Sequence, residues 1–516
     1  MTFALLAAIV LESGLGGAHF PVSTRSAEAQ KFFDQGLRYV YAFNHEAAVD
    51  SFKHATELDP DLAIGYWGAA LALGPNINLD VDPEREKQAY ELAQSAKAHA
   101  AHASPKERDL IDALARRYSN DPSADLKKLS ADYSAGMRAL HAKYPHDADI
   151  AVLYAESLMD LHPWRFWTHD GKATEGTEEI VRVLESVLKA HPDHVGANHY
   201  YIHAVEASPH PERALASAKR LTTLAPAAGH LVHMPAHIYQ RTGNYTGAAA
   251  ANTAGVTADR AFIKAHGGEG MYPMMYYSHN LDFGAASYAM AGQFAQAKAY
   301  ADEMTANAAK MAKEMPPVEP FTTNALKVLL RFGKWADVLR APDASAGPIS
   351  GAFRHFARAT AFAKLGDVAG ARSEQKAFDA DVARMTDDTG FLQNSGKALA
   401  AVMSPLIEGR IAEASGDTAA AIIAYRRVVA AEDALNYNEP ADWFYPTRET
   451  LGAALLRGRD FAGAERVFRD DLARNPNNPR SLYGLAAALK AQGKPSAKTA
   501  AAFKAAWHGG VGDPLR

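Results

Sequence analysis

The chain has 516 residues, 48% of them hydrophobic, and its 54 basic and 59 acidic residues leave a net charge of -5. Without a Lys/Arg block this balance argues against a nucleic-acid or anionic-membrane surface, so the expected partner is a small molecule or peptide. Cysteine is absent, which excludes disulfides, thiolate nucleophiles, iron–sulfur clusters and thiolate zinc sites and leaves His, Asp and Glu to hold any metal.

Residues 1–26 read as an N-terminal arm or the remnant of an export signal. The apolar run Phe3–Leu11 is far shorter than the ~20 residues of a membrane span, so no span is expected. Its composition suggests an exported protein, periplasmic or secreted, with a cytoplasmic protein as the alternative. His19 lies on this arm, remote from any groove unless the arm folds back. From residue 27 onward the pattern is helical throughout. Phe32, Gly36 and Tyr39 belong to one helix, and Ala48, Phe52, Ala55 and Pro60 lie in and after a second. Similar units recur at Val195–Pro226, Gly229–Phe262 and Ser278–Ala308. Further copies are marked by Gly416, Gly458 and Gly493 with Ala421, Ala464 and Pro476.

These spacings resemble the tetratricopeptide repeat, a 34-residue helix–turn–helix unit. The runs Tyr41-Ala42-Phe43-Asn44-His45, Gly74-Pro75-Asn76-Ile77-Asn78 and His230-Leu231-Val232-His233-Met234-Pro235-Ala236-His237 are similar to a bacterial group of such repeat proteins, to which no activity is attached. The resemblance implies an all-α protein, a right-handed α-solenoid of about nine to eleven helix pairs with the first helix of each pair on the concave side. Residues 27–315 are expected to form an N-terminal superhelix that carries the site, and 316–516 a C-terminal set of repeats. Three insertions interrupt the pattern, at Leu73–Asn78, His162–Gly176 and His266–Tyr277. Insertions in solenoids map to loops, often on the binding face.

The chemistry concentrates between residues 199 and 237. Two histidine pairs, His199/His203 and His233/His237, are each spaced i,i+4 and stand 34 residues apart. An i,i+4 pair projects from one helix face, and the 34-residue offset sets the pairs on neighbouring helices, roughly 8–10 Å apart. With 21 histidines in the chain, this window should hold one or two and holds six. His199, His203, His230, His233, His237 and His279 are therefore the expected metal ligands. Glu206 and Glu156 are the candidate catalytic carboxylates, and Trp67, Asp160, Tyr201, Tyr239 and Asp282 the candidate groove lining. His210, between Pro209 and Pro211, reads as solvent-exposed, and His162 and His169 lie in the Trp-rich insertion, which could close over the groove. Met271, Met274 and Met275 read first as core packing, with binding of Cu(I) or an apolar substrate as the alternative.

Neutral imidazole is the commonest ligand for borderline divalent metals, and carboxylates supply charge, a base or a partner that orients the imidazole. The expected function is a metal-dependent enzyme with a His/carboxylate site, zinc favoured, acting by hydrolysis through a metal-activated water. The alternatives are a copper-dependent oxidase with a His-rich, dinuclear site, or a non-enzymatic repeat scaffold that binds peptides or handles metal. Walker A, Gly-x-Ser-x-Gly, Rossmann and His-Glu-x-x-His patterns are missing.

Overall fold

In the computed structural model, residues 10–312, 316–387, 389–391, 393–510 and 513–515 are described. The apolar run from Phe3 onward lies largely outside them. The protein is all-α. Among the described residues β structure is limited to a two-residue hairpin pairing Gly390–Phe391 with Asn394–Ser395, plus two isolated bridges. None of the described helices is long and apolar enough to cross a membrane.

The chain divides into two compact units. The first comprises residues 1–238 and 253–277, and the second residues 239–252 and 278–516. The division thus follows Tyr277, whereas the repeat pattern suggested one after residue 315. In the first unit the helices run α1 (Ala27–Tyr41), α2 (His45–Leu58), α3 (Ala63–Leu73), α4 (Pro83–Ala98), α5 (Pro105–Leu114), α6 (Leu126–Lys143), α7 (Ala148–Met159), α8 (Thr177–Ala190), α9 (Val195–Glu206), α10 (Leu215–Leu224), α11 (Gly229–His233), α12 (Pro235–Arg241) and α13 (Tyr245–His266). The end of α12 and the start of α13 belong to the second unit, which continues with α14 (Ser278–Met290) and α15 (Phe294–Met311).

Why these segments pair as helix hairpins is visible in their ends. The N-cap of α1 is Ser26, whose side chain accepts from Ala29 N, and Asn44 does the same for α2 through Ala47 N. Such caps satisfy amides that have no partner inside the helix. The turn between the two helices of a pair closes by a bond from an amide back to the carbonyl five residues earlier, as in Asn244 N to Tyr239 O and Gln293 N to Tyr288 O. This closure needs one left-handed residue, normally glycine. Gly243, Gly292, Gly333, Gly366, Gly416 and Gly493 fill that place with φ of 64–86°. Two side-chain-bearing residues also fill it, Arg459 (φ 62°) and Phe43 (φ 56°).

Packing within a hairpin repeats as well. The Phe52 ring lies between α1 and α3 at Gly36 and Gly68, where an added Cβ would come within 2.7 and 2.5 Å of it. In the second unit Phe468 sits between Gly452 and Gly484 in the same way, at 2.4 and 2.2 Å. A buried aromatic inserted against two glycines allows three helices to close with little void, which is where packing energy is gained.

The single helix expected over the second histidine pair is broken. Pro235 has no amide hydrogen, so the bond it would make to Leu231 O is lost. The chain continues instead by Met234 N to His230 O (3.1 Å) and the shorter-range His237 N to Met234 O (3.2 Å). His230 and His233 thus lie on α11, and His237 on α12.

Candidate metal centre

Five of the six expected ligands lie in the interior of the first unit. His199 and His203 come from α9, His230 and His233 from α11 and His237 from α12, and all five are at most 2% exposed. Close approach of the backbones makes this possible. A Cβ on Gly255 of α13 would lie 2.8 Å from the His233 Cβ, and one on Gly229 would collide with the Asp259 carboxylate.

Hydrogen bonding at Nδ1 decides which nitrogen faces inward. His199 Nδ1 lies 2.7 Å from Tyr41 O, His203 Nδ1 2.8 Å from Glu206 Oε1, and His237 Nδ1 2.5 Å from Glu206 Oε2. A carbonyl and a carboxylate can only accept, so each Nδ1 donates and each Nε2 is left with its lone pair. The Nε2 atoms then converge: His199 to His230 at 3.1 Å and His233 to His237 at 2.9 Å. With metal–nitrogen bonds of about 2.0–2.1 Å, neighbouring ligands of one ion stand roughly 2.9–3.4 Å apart. One donor atom from each of His199, His203 and His230 falls within 4.8 Å of the others, as does one from each of His203, Glu206 and His237. The buried Nε2 of His203 has no hydrogen-bond partner among the described residues.

Charge follows the same design. Burial lowers the His203 pKa, against the opposing pull of Glu206, and burial together with the neighbouring His203 holds that of His199 well below its ordinary value. Both rings are therefore neutral at physiological pH, the form that ligates metal. Burial would raise the Glu206 carboxyl, but His237 and His203 outweigh it and bring it to about 2. Glu206 is thus an ionised clamp with both oxygens engaged by imidazole N–H groups, the arrangement that orients metal-binding histidines.

The cluster is walled by aromatic rings that spacing alone did not single out. Phe43, the residue standing in a glycine's place, stacks on His203 (5.9 Å, 18°) and His230 (5.5 Å, 24°) and meets His199 edge-on at 4.5 Å. Trp164, from the His162–Gly176 insertion, meets His203 edge-on at 5.6 Å, and its φ of 62° is also left-handed. That insertion is anchored to α9 by Trp167 Nε1 donating to Ala204 O at 2.8 Å. The third insertion brings Tyr276, in a π-helical turn, to 4.9 Å from His230, while Tyr272 Oη accepts from His230 N at 3.2 Å and donates to Asp259 at 2.8 Å. The first reaches the same region through Asn78 Nδ2, 3.4 Å from Tyr276 Oη. Non-glycine residues in left-handed backbone cluster at functional sites, where neighbouring packing holds the strain.

Asp160 pairs with Arg117 at 2.6 Å, and Glu156 is pushed well above the usual carboxylate range by burial and by Asp160. These two acids therefore form a buried group with Arg117. Trp67 is buried in α3, and its Nε1 has no hydrogen-bond partner among the described residues. Tyr201 donates to Glu185 of α8 at 2.5 Å, tying α9 to its neighbour. Tyr239, His279 and Asp282 belong to the second unit, where His279 meets Phe283 edge-on and Asp282 accepts from Asn324 at 2.9 Å. His162 and His169 are exposed, as is His210. The side chain of His19 is 57% exposed and bonds Asp34 of α1 at 2.7 Å. His45 was not singled out by spacing; burial, then Arg85, lowers it to about 4, and its ring lies 5.8 Å from Phe43.

No protein-family model matches the chain, and no curated protein matches it. Among solved structures, the APC/C hetero-tetramer Cut9–Hcn1 aligns with 93% of this chain and 76% of its own at 12% identity, TM-score 0.33. The human IFIT1 dimer with m7Gppp-AAAA aligns with 94% and 90% at 13% identity, TM-score 0.34. Yeast Tom70 aligns with 91% and 89% at 10% identity, TM-score 0.30. At such identities and scores these likenesses carry nothing about the imidazole cluster.

Proposed function

We propose that this chain is a metal-dependent enzyme whose centre is formed by the Nε2 atoms of His199, His203, His230, His233 and His237. The observation that carries this reading is the common tautomer: three imidazoles turn Nδ1–H to protein acceptors and aim lone pairs into one buried volume. Imidazole donors suit zinc and copper, whereas magnesium, calcium and manganese prefer oxygen. A bound zinc would supply Lewis acidity and a bound water acidic enough to attack at neutral pH, which makes hydrolysis of a small-molecule or peptide substrate the first reading. In it Glu206 is a positioning residue, since both its oxygens are occupied, while Glu156 is part of the buried group with Asp160 and Arg117. Phe43, Trp164 and Tyr276 keep bulk water from the centre.

Two three-ligand groups, His199/His203/His230 and His203/Glu206/His237, exceed the single protein triad of a catalytic zinc. That excess supports a second reading, two copper ions and oxidative chemistry. Metal content of tag-free protein grown with added zinc and copper tests the site: at least one equivalent is expected, and the double variant His203→Ala/His237→Ala is expected to lose it. Full occupancy in that variant, or a parent with no metal under either supplement, would overturn the proposal in favour of a metal-free scaffold. Visible absorption of copper-loaded protein separates the two readings, because Zn(II) has no such band.

A further inference from the structure

The second unit contains a cavity of about 60 Å³, several times the ~10–15 Å³ that admits one water. Its polar wall includes Arg331, Arg410, Arg480, Thr360 and the carboxylate of Glu449, and its apolar wall includes Trp335 and Phe444. From these two walls we infer that the cavity binds the oxyanion headgroup, carboxylate or phosphate, of a small molecule with an aromatic body.

The guanidiniums are not balanced by local acids. Glu449 is bound by Arg331, and Glu413 is shared between Arg410 and Arg457. Arg480 has carbonyl partners instead, Ala289 O and Pro514 O, both at 3.1 Å. Three guanidiniums therefore line the cavity beside one carboxylate, Glu449. Two side chains register the excess: burial and the nearby Arg331 lower Arg480 to about 9, and burial with Arg410 lowers Lys364 to about 8. Donor atoms are also left over. Arg331 Nε, Arg410 Nε and Thr360 Oγ1 are buried with no partner among the described residues, although the side chain of Arg331 is only 4% exposed and Thr360 only 4%. A buried donor left unbonded costs about 1–3 kcal/mol, so three of them around one cavity mark where an acceptor belongs. An anion supplies acceptors and charge together, and charge-assisted bonds from arginine are the strong ones. Trp335 and Phe444 line the cavity beside it as apolar aromatic surface, with Lys364 over the Trp335 ring at 5.9 Å.

The test is a thermal-shift titration of the full chain with inorganic phosphate, phenyl phosphate and benzoate, each against chloride at equal ionic strength. Saturable stabilisation by phenyl phosphate or benzoate is expected, and the tighter of the two identifies the headgroup. Arg410→Gln should weaken it by about ten-fold or more and Thr360→Val by roughly two- to ten-fold. Thr360→Val is expected to fold with a ligand-free Tm no lower than the parent's, since it removes a buried hydroxyl that bonds nothing among the described residues, and it keeps the test decisive if Arg410→Gln does not fold. No saturable shift with any probe, or undiminished binding in Thr360→Val and Arg410→Gln alike, overturns the site. Equal affinity for inorganic and phenyl phosphate overturns the aromatic half of the assignment.

Discussion

Phe43 stands where six other turns use glycine, and a left-handed conformation costs an L-residue roughly 1–2 kcal/mol. The strain coincides with a ring stacked on two imidazoles. Phe43→Gly should relieve the backbone while opening the centre to water, so a chelator should strip metal from the variant at least about ten-fold faster at similar metal stoichiometry; an unchanged stripping rate would show that the ring does not shield the site. Glu206 invites a sharper test. Its two oxygens accept from two N–H groups, whereas glutamine offers one acceptor and one donor. In Glu206→Gln one imidazole must therefore reverse its tautomer and lose its inward lone pair, and metal affinity should fall about 10–100-fold, measured by competition with a chelator of known affinity. Equal affinity in the variant would remove the clamp from the account. The histidines were legible because i,i+4 spacing is local. The clamp was not, because His237 lies 31 residues beyond Glu206 and helix geometry says nothing about partners at that distance. Phe43 left a trace in the sequence, an aromatic in a glycine's turn position, which only alignment of the repeats brings out.

At the scale of elements, what could be read was periodic. Gly36, Phe52 and Gly68, like Gly452, Phe468 and Gly484, carry a packing rule in their spacing, so the hairpins follow from residue identity. The break at Pro235 does not follow the repeat and changes the site. The break leaves the spacing within the pair ordinary, with ring centroids 4.8 Å apart against 4.9 Å for His199 and His203 on the unbroken α9; what it redirects is α11, which carries His230 and His233, relative to α12, which carries His237. Pro235→Ala restores a backbone donor and permits a continuous helix, so thermal stability should not fall, because removing an interior proline relieves roughly 3 kcal/mol of helix propensity. Metal affinity should nevertheless drop. A variant that bound metal as tightly as the parent would mean the proline serves chain geometry alone. The insertions were legible as interruptions, but their side-chain destinations depend on tertiary packing: Trp164 reaches His203, while His162 and His169 of the same loop face solvent.

At the scale of the whole chain, three buried carboxyls of the second unit and a buried histidine of the first respond to pH in opposite senses. In the second unit, burial raises Glu432 to about 7 and Asp442 to about 6; burial with Glu449 raises Asp471 to about 6. A carboxyl whose folded pKa lies above its unfolded value binds more protons when folded. Its contribution is present at low pH and is lost as pH rises through the folded pKa. In the first unit, burial holds His45 at about 4, below the 6.5 it regains on unfolding. There the unfolded chain takes up the proton, so stability is lost as pH falls between 6.5 and 4. Glu206, at about 2, stays ionised throughout this range and adds nothing to the slope. Moving from pH 8 to pH 5.5 should therefore strengthen the second unit through these carboxyls, while in the first unit the loss at His45 is opposed by the raised carboxyls Glu156 and Asp160. A proton held by the folded carboxyl and released by the unfolded one stabilises by about 1.4 kcal/mol for each pH step of one below the folded pKa, so Glu432 alone accounts for on the order of 2 kcal/mol. Hydrogen exchange corrected for intrinsic rates reads both changes in one sample, through amides of α9 and of the helix Gly396–Ala414. Glu432→Gln should shrink the second unit's response and leave the first unchanged. A second unit whose exchange did not slow on acidification, or slowed equally in Glu432→Gln, would remove the link between the burial of these acids and its stability.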